Sequence, residues 1–164
     1  MATATYTPIA TQTLGSAAAS ITFSSIPGTY TDLRLVLTAV SVTYPDNPSL
    51  QFNTDTGTNY SEIALEGNGT SATSVGRTSR NEIFMAEYGT SITIPQMYTA
   101  DIFSYAGGTN KQVLTSGAED ENGGGAVTLT CSLWRSTAAI TSIKIFQSGG
   151  NNFATGSIAT LWGI

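Results

Sequence analysis

The chain predicts an all-β fold: a two-sheet antiparallel β-sandwich of the jelly-roll kind, with no substantial helix. Three observations carry this expectation. Short runs alternate apolar and hydroxyl side chains along most of the length, Gly, Pro, Asn and Asp clusters separate them, and no segment shows helical periodicity with caps. Ala17-Ala18-Ala19 is too short for a helix and is flanked by Ser and Gly.

Taken in order, the chain opens with a short N-terminal arm at about 1–8. Ser20 to Ile26 then sets Ile21 and Phe23 on one face. From Asp32 to Val42, Leu33, Leu35, Leu37 and Ala39 share one face and Arg34, Val36, Thr38, Val40 and Val42 the other. Side chains alternate across a strand, so the leucine face is expected in the core. Further strands are expected at Ser49 to Asn53, Tyr60 to Glu66, Glu82 to Glu87, Met97 to Tyr105, Gln112 to Ser116, Ala126 to Trp134, Ile140 to Gln147 and Ser157 to Trp162. Gly67 to Arg80 is compatible with loop and, in part, with strand. Turn chemistry fills the gaps, as in Pro27-Gly28, Asp55-Thr-Gly57 and Asn122-Gly-Gly-Gly125. With no internal repeat and no linker composition, residues 1–164 read as a single domain.

Composition argues against catalysis. There is no histidine, one cysteine, and only 10% of residues are charged. A cysteine nucleophile wants a histidine base, so Cys131 is read as a buried core thiol in phase with Val127, Leu129 and Leu133. It also permits no intrachain disulfide. The net charge is −5, and the six basic residues cannot build a phosphate-binding stripe, Arg77 and Arg80 being their one close pair. Nucleic acid is therefore not an expected partner. Nor is a membrane, since no apolar run reaches spanning length. Met1 to Pro8 has neither a basic n-region nor an apolar h-region, so the expectation is a cytoplasmic product without a signal peptide.

Each motif that hints at chemistry has a structural reading that outweighs it. Asp55-Thr-Gly57 spells the aspartic-protease tripeptide, but it lies in a polar turn and has no second copy to share a proton with. Asn53, Asp55 and Asn59 offer alternate oxygens without calcium-loop spacing or a closing bidentate Glu. Glu119-Asp120-Glu121 reads as a solvated hairpin tip. Glu62 and Glu66 face the same side of one strand, with nothing to mark a cleft. No catalytic residue, metal or cofactor is expected, and the protein is not expected to be an enzyme. Tyr30, Tyr44 and Trp134 are read as loop aromatics.

Glu82 to Tyr88 differs, because Ile83, Phe84 and Met85 occupy both faces of one strand. Such a strand is either central in the sandwich or covered by a neighbouring subunit. In the second case Phe84, Tyr88 and Met97 are the candidate subunit-interface residues.

Four stretches resemble small jelly-roll virion proteins of tailed bacteriophages: Ile26 to Val36 (IPGTYTDLRLV), Phe52 to Ser61 (FNTDTGTNYS), Leu133 to Ile143 (LWRSTAAITSI) and Phe153 to Ile164 (FATGSIATLWGI). The resemblance implies a non-enzymatic sandwich that forms homotrimers. Capsid cement or decoration proteins and tail-fibre domains both belong to this group. With no stalk sequence present, the expectation is a cement protein on the outer capsid surface of a virion. It would be made in the host cytoplasm, with itself and the major capsid protein as partners. The alternative is a tail-associated or fibre-tip module recognising a host surface glycan.

Overall fold

The computed structural model describes residues 5–43, 45–87, 89–120, 122 and 124–164. Among them the chain forms β1 (Thr7–Thr13), β2 (Ser20–Phe23), β3 (Leu33–Ala39), β4 (Pro48–Phe52), β5 (Tyr60–Gly67) and β6 (Ala72–Arg80). After these come β7 (Ile83–Phe84), β8 (Gln96–Phe103), β9 (Lys111–Asp120), β10 (Gly125–Trp134), β11 (Ile143–Gln147) and β12 (Ile158–Gly163). One sheet has eight strands in the order β1-β12-β3-β8-β9-β10-β5-β6; the other has four, β2-β11-β4-β7. Every pairing is antiparallel. Early strands pair with late ones in nested fashion, β1 with β12, β2 with β11 and β5 with β10, while the chain crosses repeatedly between the sheets. That winding is the jelly-roll sandwich the alternation predicts.

The core lies between the sheets. Leu33, Leu35, Leu37 and Ala39 of β3 are fully buried, as their phase predicts. They meet Ile21 and Phe23 of β2, Leu50 and Phe52 of β4, and Ile143 and Ile145 of β11. Each fully buried aliphatic side chain contributes roughly 1.5–3 kcal/mol. Gly117 on β9 is required by close packing, because a Cβ there would lie 2.7 Å from both Ala86 and Tyr98.

Two elements depart from expectation, and a stretch left open resolves as strand. Thr7 and Pro8, expected in an arm at about 1–8, open β1, which pairs along β12. Residues 72–80 form β6, a polar edge strand hidden from pattern reading because Val75 is its one large aliphatic residue among Ala, Thr, Ser, Gly and Arg. Its turn is held by Asn68 Oδ1, which accepts hydrogen bonds from Thr70 N and Ser71 N. The expected strand at 82–87 shrinks to Ile83–Phe84, an edge rather than a central strand. The open side of that edge is closed by side chains of the larger sheet. Phe84 N donates to Glu62 Oε2 at 3.1 Å, and Thr115 Oγ1 donates to Phe84 O at 3.4 Å. Edges satisfied in this way are not free to pair with another chain.

Candidate interaction surface

On β10 the apolar phase points outward. Val127, Leu129 and Cys131 are exposed, and Leu133 is half-buried. Ala126, Thr128, Thr130, Ser132 and Trp134 are buried. The reading of Cys131 as a core thiol is therefore overturned. Trp134, which ends the expected strand and is also read as a loop aromatic, decides the outcome. It sits opposite Tyr60 in the β10–β5 register, stacks on that ring at 6.3 Å and meets the Phe52 ring edge-on at 5.5 Å. Burying this aromatic pair outweighs burying Val and Leu. Because side chains alternate, it sends the whole Val127 phase to the outside.

β5 follows β10. Tyr60, Glu62 and Ala64 point inward, while Ile63 (67% exposed) and Leu65 (56% exposed) point outward. In register, Leu129 lies opposite Leu65, Cys131 lies between Ile63 and Leu114, and Val127 lies opposite Ala118, which is itself opposite Met97. Phe103 extends the patch along β8. The result is an apolar stripe across β5, β10 and β9, with Met97 and Phe103 of β8 beside it and the hydrogen-bonded Thr99 and Ser116 hydroxyls between. Its ridge is flanked by two shallow depressions, one of about 500 Å³ beside Ile63 and Leu133, the other of about 150 Å³ between Met97 and Val127. Asp101 of β8, opposite Leu114, is neutralised by Arg34 of β3 at 3.1 Å.

Behind this face the interior is polar. Glu62 is buried and pairs with Arg77 at 3.0 Å; Arg77 also grips Glu87 at 2.5 Å and lies over the Phe84 ring. Burial pushes the Glu62 carboxyl above its usual range, and the Phe84 N–H and Arg77 offset this only in part. The Glu87 carboxylate raises the affinity of Arg77 for its proton further. Thr130 Oγ1 and Ser132 Oγ are buried with no hydrogen-bond partner among the described residues.

The remaining motifs resolve into structural contacts. Asp55 accepts from Gly57 N, from Asn59 Nδ2 and, at 2.7 Å, from Trp134 Nε1. Burial opposes ionisation of Asp55, yet these three bonds outweigh it and hold the carboxyl below its ordinary range. Tyr60, buried beside Asp55, is pushed up to about 12. Asn53, at φ 50°, turns its amide to Ala139 O and its oxygen to Thr141 N and Ser142 N, so the three candidate oxygens serve loops rather than one centre. Glu66 is half-buried at the far end of β5 from the Glu62 pair. Tyr30 packs on Gly163, where a Cβ would fall 2.3 Å from the ring. Tyr44 and Glu121 lie outside the described residues.

Basic side chains are likewise engaged. Arg80 pairs with Glu82 and covers the Phe84 ring. Buried Lys111 donates to the Gly107 and Thr109 carbonyls, and burial lowers its pKa. Arg135 donates to Thr58 O, and Lys144 lies over Phe146.

The expected interface trio is not one patch. Met97, 58% exposed, belongs to the apolar face. Phe84 sits on the edge of the other sheet beneath Arg77 and Arg80. Tyr88 lies outside the described residues. Ile63, Leu65, Leu114, Val127 and Leu129 were missed, and their signal was available: two paired strands place a carboxylate or hydroxyls in the same phase as Tyr60 and Trp134.

Comparison with known proteins adds little. No protein-family model matches the chain, and no curated protein matches it. Among solved structures, galectin LEC-6 of Caenorhabditis elegans is similar at 12% identity and a TM-score of 0.38, over 91% of this chain and 94% of that one. Among the described residues no group of three or more His, Cys, Asp or Glu stands where it could hold a metal ion, and no helix is long and apolar enough to cross a membrane.

Proposed function

We propose that this chain is a non-enzymatic structural protein of a bacteriophage virion, a homo-oligomeric cement or decoration protein that binds the outside of the assembled capsid. One observation carries the reading: the outer face of the larger sheet exposes an apolar stripe of Ile63, Leu65, Leu114, Val127 and Leu129, while Glu62, Glu82 and Glu87 are held in pairs with Arg77 and Arg80. A surface of that kind serves protein–protein contact. The resemblance of the Ile26, Phe52, Leu133 and Phe153 stretches to small phage jelly-roll proteins supports the virion setting.

The physics of such a role needs no catalysis. A protein that binds only the assembled shell favours assembly by mass action, and many copies multiply modest individual contacts. The major capsid protein is the proposed partner. Nucleic acid is not, because the base-poor, acidic chain has no cationic surface to offer phosphates.

Quantifying the chain against the major capsid protein on a gel of purified virions tests this. Hundreds of copies per particle are expected, with loss of the chain lowering capsid resistance to heat. A ratio below about one in twenty contradicts a role that acts through many copies. That result, together with blocked adsorption by added free protein, favours a tail-associated module that grips a host glycan.

A further inference from the structure

We infer that the outer face of β5, β10, β9 and β8 is where this chain packs against further copies of itself, with the Ile63, Leu65, Leu114, Val127 and Leu129 stripe turned toward the symmetry axis. Three observations carry the inference. The first is the inverted phase of two paired strands, with apolar residues outside and Glu62, Thr128, Thr130 and Ser132 inside. For an isolated subunit this arrangement costs stability on both faces. Once the outer face is covered, only the inner cost remains.

The second is area. Ile63 is 67% exposed, Val127 63%, Met97 58%, Leu65 56%, Leu129 46% and Leu114 36%, side by side on adjacent strands. The largest apolar patch on a typical monomer is about 300–600 Å². A standard interface buries about 800 Å² per partner, an apolar centre of this kind ringed by a polar rim.

Charge is the third. Equivalent faces meeting around a symmetry axis bring like groups together, so any net charge there would repel itself. Along the stripe itself there is little to repel: Asp101, opposite Leu114 on β8, is neutralised by Arg34, Glu62 and Arg77 are paired behind the face, and Asp120 stands at the far end of β9. A ridged apolar stripe whose adjacent Asp101 is already neutralised suits a second copy better than an ionic partner. Cys131, in its middle between Ile63 and Leu114, is covered in the assembly.

The inference rests on the self-association in the proposed function and not on a position in a virion, so copy number in particles does not bear on it. Sedimentation velocity on the full-length chain at micromolar concentration tests it. The wild type should sediment as a closed oligomer. Leu129→Asp should sediment as a folded monomer with unchanged near-ultraviolet circular dichroism. Thr22→Asp, exposed on the opposite sheet, should keep the wild-type mass. Should Leu129→Asp fail to fold, the milder Ile63→Ser carries the test, with an expected weakening of at least about tenfold. A monomeric wild type overturns the inference. So does a folded Leu129→Asp of wild-type mass, or an Ile63→Ser dissociation constant equal to that of the wild type.

Discussion

β3 and β10 lie in the same sheet, separated by β8 and β9, and follow opposite rules. β3 buries Leu33, Leu35 and Leu37 and turns Arg34 and Thr38 outward. β10 buries Thr128, Thr130 and Ser132 and turns Val127 and Leu129 outward. Both strands alternate with period two, so periodicity does not distinguish them. What distinguishes them is the residue each must bury: β3 has only aliphatics to choose from, whereas β10 ends in Trp134, which closes on Tyr60 and Phe52. β3 is complete within one subunit. β10 has its inner face sealed and its outer face unpartnered within the subunit.

Truncating one leucine on each strand should break that symmetry most visibly. Leu35→Ala opens a cavity in the core and should cost about 2–5 kcal/mol in urea unfolding. Leu129→Ala, measured where subunits are dissociated, should stay within about 0.5 kcal/mol of wild type. Equal losses would mean that Leu129 is a core residue of the single subunit.

A smaller effect of opposite sign comes from the inner face of β10. Thr130→Val keeps the shape and removes a buried hydroxyl that has no partner among the described residues. It should stabilise the fold by about 1 kcal/mol. No change in the urea midpoint would place that hydroxyl in contact with water, contrary to the phase described.

The finest probe is pH. Burial raises the folded-state pKa of Glu62 above its ordinary 4.5, so the protonated carboxyl favours the folded chain. That contribution is full below the unfolded value and is lost as pH rises through the folded one. Glu62→Gln stays neutral and retains an acceptor for the Phe84 N–H. Its urea midpoint should exceed that of wild type progressively as pH climbs above 4.5, with the two converging below it. A gap independent of pH would remove desolvation of Glu62 as its cause.

How much of this was legible in the sequence follows from the same contrast. The fold class, the turns and the leucine face of β3 could be read because composition and period agree there. The polar edge strand β6 could not, since it is held by pairing with β5 rather than by burying apolar residues. The face of β10 was misread because Val127, Leu129, Cys131 and Leu133 look like a core stripe until the position of Trp134 is weighed against them. Met97 lies on the exposed face of β8, whereas the apolar ring of Phe84 is covered by Arg77 and Arg80.

Cys131 gives the most direct test of the central claim, that the outer face of β10 is covered by further copies of the chain. It is the sole thiol, it is exposed on the isolated subunit, and it lies in the middle of the apolar stripe. Its reaction with a thiol reagent can be followed across a dilution series of the native protein. Protection is expected at high concentration, with reactivity rising as dilution separates the subunits and full reactivity at every concentration in Leu129→Asp. A wild-type thiol that reacts at one unchanging fast rate throughout the series would contradict the claim.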